Sequence, residues 1–334
     1  MTSKERVIKT LTFNKPDRIP RDMWELPGVK VYQPGAADRV RKKFEMDILS
    51  PPVKKTKLSH MKGEQFEPGL YVDEWRCEFE NLQYGIVGEV KKPLVANWSD
   101  LDKVKAPWDL LGKGMEEAFE VCKTTDKFTL GLVSSIFERM QYIRGTENLF
   151  MDFATQPSEL LELRDIVFKY HLSETEVWCK SEVDGIIFTD DWGSQISLLI
   201  SPEMWRKLFK PLYKQFVQKV HDAGKFAFMH SDGYIFDIYE DLIDIGMDAI
   251  NSQLFCMPIE EIGRRCTGKI TFWGEIDRQQ LLPYGSEKEI RDAVVRVWDN
   301  LSYNYGGVIA QLEYGLEAKF ENVMTVYDEW LKVK

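Results

Sequence analysis

The apolar run Phe226-Ala-Phe-Met229 stops at His230-Ser-Asp232-Gly233, and a helical pattern from Tyr234 to Ile245 follows directly. A β-run that ends in metal-capable or catalytic side chains and passes into a helix is how a parallel α/β barrel presents chemistry at the C-terminal end of a strand. The arrangement recurs along the chain. Ile186-Ile-Phe-Thr189 enters Asp190-Asp191-Trp192-Gly193, Ile270-Thr-Phe-Trp273 enters Gly274-Glu275-Ile276-Asp277, and Val308-Ile-Ala310 enters Gln311-Leu312-Glu313-Tyr314. Four strands therefore deliver acids or histidine to one expected rim.

The remaining pattern supports a barrel. Strands are expected at Arg18–Trp24, Phe128–Val133, Gly185–Thr189, Lys225–Met229, Asp248–Ile250, Ile270–Trp273 and Gly307–Ala310, with Asp47–Leu49 as an eighth candidate. Helices alternate with them, among them a long one from Ser158 to Lys180 and one opened by Ser201-Pro202-Glu203, where Ser caps and Pro takes the first helical position. Alternation of this kind implies a parallel sheet, and the strand count favours closure into a TIM (β/α)8 barrel. Residues 25–110 lose the alternation, carry many prolines and contain a hairpin pattern at Tyr71–Val90. They are expected to form an insertion after the first strand, serving as lid or pocket wall within a single domain spanning 1–334.

Composition removes several function classes. A net charge of −10 speaks against nucleic acid as partner, because phosphate binding needs clustered Lys and Arg. Five cysteines in no CxxC spacing suggest reduced thiols and a cytoplasmic protein. No apolar run nears the roughly 20 residues that a membrane helix needs. Neither GxGxxG nor GxxxxGK[ST] occurs, which disfavours a dinucleotide or P-loop enzyme.

At the rim, His230 and Asp232 can point to a common centre if the backbone turns at Gly233. A metal held by imidazole and carboxylate needs a third ligand from another loop and leaves a fourth position for substrate. Glu313 is the favoured third ligand, with Glu275, Asp190 and Cys256 as alternatives. Asp190, Asp191 and Glu275 are the expected catalytic acids. The bland reading makes His230 a hydrogen-bonded barrel histidine and Asp232 a helix cap, with one of Asp190 and Asp191 capping a helix and the other holding Arg139 or Arg144. Trp24, Trp192, Phe137, Phe255 and Trp273 either fill the core or line an aromatic pocket.

Over nearly its whole length the sequence resembles the uroporphyrinogen decarboxylase superfamily, and within it the corrinoid-dependent methyltransferases. The resemblance is carried by Lys15-Pro-Asp-Arg-Ile-Pro20, Asp190-Asp191-Trp-Gly193, Ile200-Ser-Pro-Glu-Met-Trp205, His230-Ser-Asp-Gly233, Phe272-Trp-Gly-Glu-Ile-Asp277 and Glu321-Asn-Val323. It implies a TIM barrel. Decarboxylases carry an Arg-Gln-Ala-Gly-Arg segment after the first strand, where this chain has Trp24-Glu25-Leu26-Pro27-Gly28, and their glycine-flanked histidine looks replaced by Tyr314. Methyltransferases acting on coenzyme M hold zinc through a His-x-Cys pair and a later cysteine, positions that correspond to His230, Asp232 and the neighbourhood of Glu313. Carboxylates in place of thiolates leave a metal more electron-poor and better suited to an oxygen substrate. The resemblance thus implies an O-demethylase methyltransferase: zinc on His230, Asp232 and Glu313, a phenyl methyl ether as small methyl donor, and a corrinoid (cobalamin) protein as partner. Trp24, Trp192 and Tyr314 would meet the corrinoid, and a homodimer is expected. A porphyrinogen decarboxylase is the competing expectation, which Arg21, Arg39 and Arg139 converging at the mouth would favour.

Overall fold

The computed structural model describes residues 1–333. Helix α1 (Ser3–Leu11) leads to β1 (Arg21–Glu25), α2 (Pro27–Tyr32), α3 (Ala36–Lys43) and β2 (Ile48–Leu49). The short strands β3 (Gly69–Val72), β4 (Glu78–Asn81) and β5 (Glu89–Lys92) follow, then α4 (Glu116–Thr124) and β6 (Phe128–Val133). After α5 (Phe137–Arg144), α6 (Thr146–Thr155) and α7 (Ser158–Cys179) come β7 (Gly185–Thr189), α8 (Pro202–Leu208), α9 (Lys210–Asp222) and β8 (Phe226–Ser231). The chain ends with α10 (Tyr239–Asp244), β9 (Ala249–Ser252), α11 (Ile259–Cys266), β10 (Thr271–Trp273), α12 (Leu281–Tyr284), α13 (Glu287–Leu301), β11 (Val308–Tyr314) and α14 (Phe320–Trp330).

Eight strands form one sheet in the order β1-β11-β10-β9-β8-β7-β6-β2, each neighbouring pair parallel. The ends of this sheet meet where the Asp47 N–H donates to the Arg21 carbonyl (2.7 Å) and the Arg21 N–H donates to Asp47 Oδ2 (2.8 Å). The result is a TIM-like α/β barrel, as the alternation predicts. Helix α1, closed by a Thr2–Glu5 capping box, plugs the floor with Val7 and Leu11, which pack on Ile48, Phe128, Phe228 and Ile309.

Side-chain alternation along the strands decides which residues reach the lumen. Ile187 of β7, Phe228 of β8, Ala249 of β9, Trp273 of β10 and Ile309 of β11 share the inner cluster with Trp24. Their neighbours Ile186, Phe188, Met229, Ile250, Phe272, Leu312 and Tyr314 pack outward against the helices.

The stretch 25–110 divides differently from the sequence expectation. It contains β2, the eighth barrel strand, with α2 and α3 before it; the added material comes after Leu49 and holds the antiparallel sheet β3-β4-β5 rather than a simple hairpin. The pattern Tyr234–Ile245 gives only a short turn of helix at Phe236–Ile238 and then α10, because the Tyr234 N–H is drawn to the Ser194 carbonyl (2.7 Å). Strand β11 runs on to Tyr314, so Gln311, Glu313 and Tyr314 belong to the strand itself.

Candidate metal centre at the barrel mouth

His230 shares the inner face of β8 with Phe228 and stands in register with Asn251 of β9. The Asn251 amide nitrogen donates to the Trp273 carbonyl (2.5 Å), which can only accept, and to Gln311 Oε1 (3.0 Å). That turns Asn251 Oδ1 toward His230 Nδ1, 2.6 Å away. Nδ1 therefore carries the imidazole proton in the neutral ring, and Nε2 keeps its lone pair. Trp24 packs against the other side of the ring, centroid to centroid 4.9 Å.

The freed Nε2 faces two carboxylates, Asp191 Oδ1 at 3.5 Å and Asp232 Oδ1 at 3.7 Å. One donor atom from each of Asp191, His230 and Asp232 lies within 4.8 Å of the others. Tetrahedral zinc with bonds of about 2.1 Å has ligand atoms about 3.4 Å apart, so these separations suit a cation between them. Asp232 Oδ1 adds a second sign, for it is buried without a hydrogen-bond partner. A sealed carboxylate oxygen is costly unless a proton or cation meets it. The donor set of one nitrogen and two oxygens thus fits a divalent metal.

Arg278, which sequence reasoning missed, completes the electrostatics. Its guanidinium is ion-paired with Asp232 and Glu313 and lies 3.5 Å from Glu275. One guanidinium is shared among three carboxylates. Burial holds Glu275 well above the usual carboxylate range and raises Glu313 and Asp191 as well. Glu138, at the start of α5, is pushed up to about 8 by burial and then by Asp191 and Asp190. Positive charge is scarce here, which favours a bound cation. The sequence signal for Arg278 was its position one residue past Asp277, on the same loop as Glu275.

Residues 78–330 match the uroporphyrinogen decarboxylase (URO-D) family. The chain belongs to that family. Among solved structures, a methyltransferase from Methanosarcina mazei superposes with a TM-score of 0.71 at 16% identity, covering 99% of each chain. A 3-keto-D-glucoside 4-epimerase from E. coli aligns at TM-score 0.40 and 13% identity over 67% of this chain and 86% of its own. No curated protein sequence matches. The M. mazei likeness corroborates the barrel, and membership of the uroporphyrinogen decarboxylase family places the rim acids in an enzyme lineage.

Within this uroporphyrinogen decarboxylase barrel, the expected site residues separate by strand parity. Glu313 faces the mouth with its carboxylate paired to Arg278, and the donor atoms that lie together are those of Asp191, His230 and Asp232. Asp190 points outward, 1% exposed, and accepts from the N–H groups of Ile136, Phe137 and Glu138 and from the Tyr213 hydroxyl (2.5 Å). It caps α5 and has no face toward the mouth. Trp192 is fully buried, stacked on Phe137 with centroids 4.5 Å apart, so it belongs to the core. Tyr314 also points outward, its hydroxyl donating to Gln33 Oε1 (2.7 Å). Burial pushes the Cys256 thiol up to about 11, and the thiol donates to the Gln253 carbonyl, so it offers no thiolate ligand.

The arginines do not converge. Arg139 is held by Asp73 and Glu74, Arg144 by Asp152, Arg39 lies over the Phe320 ring, and Arg21 is at the opposite end of β1. Beside the His230 centre a cavity of about 680 Å³ opens over Trp24, Trp273, Leu130, Leu132, Ile187 and Trp178. Among the described residues, no helix is long and apolar enough to cross a membrane.

Proposed function

We propose that this member of the family is a metal-dependent methyltransferase that moves a methyl group from a small methyl donor, a phenyl methyl ether, to the cobalt of a separate corrinoid protein. The observation that carries the reading is the lone pair of His230 Nε2 facing Asp191 and the orphaned Asp232 Oδ1. His230, Asp232 and Asp191 would hold the zinc. Bound there, zinc would supply Lewis acidity toward an ether oxygen.

The chain's own groups do the rest. Trp24, Trp273 and the apolar wall of the cavity clamp a flat ring and keep water from it. Asn251 keeps the His230 proton on Nδ1. Glu138, whose carboxyl burial holds above the usual carboxylate range, stands beside Asp191 and is placed to give a proton to the departing oxygen. Arg278 keeps Glu313 and Glu275 from competing for the metal. Exposed Leu26, Val31, Tyr32, Leu82, Tyr84 and Ile86 in the stretch 25–110 offer a surface for the corrinoid protein. A cleft whose one rim arginine is spent on its own carboxylates suits a weakly charged donor better than a porphyrinogen polyanion.

The test is zinc analysis of purified protein together with methyl transfer from methoxylated aromatics to a cob(I)alamin-loaded partner, followed by corrinoid absorbance. Stoichiometric zinc and methylated corrinoid are expected, and His230→Ala should lose both while remaining folded. Carbon dioxide release from a porphyrinogen by metal-free protein would overturn the proposal.

A further inference from the structure

At the N-terminal end of β1, on the outer side of the barrel wall against α13 and α14, lies a second cavity of about 290 Å³ lined by Lys15, Arg18, Arg21, Trp298, Tyr305 and Trp330. Its wall includes Lys15 to Ile19 of the Lys15–Pro20 motif, which the metal centre leaves without a role. Arg21 opens β1 on its outward face and is 8% exposed. Among the described residues, no hydrogen bond or ion pair holds its guanidinium, and Nε is buried without a partner.

The nearby acids are paired with other groups, Glu45 with Arg18 at 3.5 Å among them. Asp47 accepts from Ser3, Arg6 and Arg18, and Asp17 is bound by Arg6. Burial, and then the charge of Arg18, work against the Arg21 cation. A guanidinium cannot shed its proton as a buried lysine would, so only an anion relieves it. The indole N–H of Trp330, 4% exposed and set in the same wall, also lacks an acceptor. Lys15 rests on the Tyr305 ring at 4.1 Å, adding a further positive charge at the entrance.

We propose that this cavity is a binding site for a small flat organic monocarboxylate of about the size of benzoate. The carboxylate meets Arg21 in the two-point geometry that guanidinium favours, with the Trp330 N–H within reach, while the ring lies among Trp298, Tyr305 and Trp330. The volume is near the lower end, about 300 Å³, of small-molecule sites, which limits the ligand to roughly one ring. The charge is local: the chain as a whole carries −10, so attraction must come from this corner. The cavity shares no lining residue with the inner cluster of the barrel, so a ligand here is separated from the metal centre by the barrel wall.

The test is a titration of indole-15N-labelled protein, with the Trp330 resonance assigned from Trp330→Phe. Sodium benzoate should move that resonance saturably, and Arg21→Met should weaken binding at least tenfold. His230→Ala at the far end should leave benzoate affinity as it was. Benzyl alcohol matching benzoate would overturn the proposal by showing an apolar cavity only, and inorganic phosphate giving the same saturable shift would overturn the organic class. If Arg21→Met does not fold, the unmodified protein decides, since a Trp330 resonance unmoved by benzoate refutes the site.

Discussion

Replacing Asn251 by leucine tests the chain of contacts that sets the His230 tautomer. Asn251 is fully buried, and its amide serves His230 Nδ1, the Trp273 carbonyl and Gln311 Oε1. Each buried polar group left without a partner costs about 1–3 kcal/mol, and local relaxation recovers part of that, so a loss of roughly 3–6 kcal/mol in folding stability is expected. The effect on the metal is distinct. With nothing to accept from Nδ1, the ring is free to place its proton on Nε2 and to rotate away from Asp191 and Asp232. Loss of such a supporting contact weakens metal affinity about tenfold to a hundredfold, equivalent to about 1.4–2.7 kcal/mol. Urea unfolding followed by circular dichroism measures the first quantity, and competition against a chromophoric zinc chelator at low temperature measures the second. Zinc affinity within a factor of two of the parent in folded variant would refute the argument, because imidazole coordination through Nε2 would then not depend on Asn251.

Three further outcomes follow from the same geometry. Arg278→Met removes the cation shared by Asp232, Glu275 and Glu313, at a cost of about 3–5 kcal/mol at pH 8 in metal-free protein. Glu275 and Glu313 already lie above their unfolded values, so the folded variant takes up protons first: it should gain stability from pH 8 toward pH 5 and lose it as pH rises, and urea midpoints showing the reverse trend would contradict this. Asp190→Ala should cost about 2–4 kcal/mol, through loss of the α5 cap and of the Tyr213 partner, while zinc content measured on the folded fraction stays unchanged; loss of zinc would make Asp190 a ligand. Glu138→Gln should retain zinc but lower kcat for methyl transfer and flatten the decline in rate expected of the parent as rising pH ionises Glu138, and an unaltered pH profile would remove Glu138 from the reaction.

The strand ends were legible because apolar runs stopping at acids are a local signal, and β6 and β7 fall where the sequence places them. What the sequence reading lacked was parity carried to the last residue. Extending the inner set of Ile187 and Thr189 by one step selects Asp191 over Asp190, and on β11 the inner set of Ile309 and Gln311 keeps Glu313 at the mouth, as expected, but turns Tyr314 outward. The same rule would have found Asn251, which lies one residue past the expected end of β9 and on the inner face with Ala249. Arg278 lies in a loop where no periodicity operates, and its reach to Asp232 and Glu313 depends on strands distant in sequence. The burial of Trp192 was equally hidden, since an aromatic after a strand serves a core or a pocket with the same local pattern.

The join between β1 and β2 has a mechanical meaning. Strand β2 is two residues long, and the contacts described between it and β1 centre on Asp47, clasped by Arg6 and Arg18 like a rivet across a split ring. The rim residues above that split, Trp24 to Leu26 on one bank and Ser50 with Pro51 on the other, are both walls of the large cavity. The cavity wall at this joint thus rests on Asp47 and its arginines rather than on a strand ladder, whereas the continuous ladder from β6 round to β1 carries His230, Asp191 and Asp232.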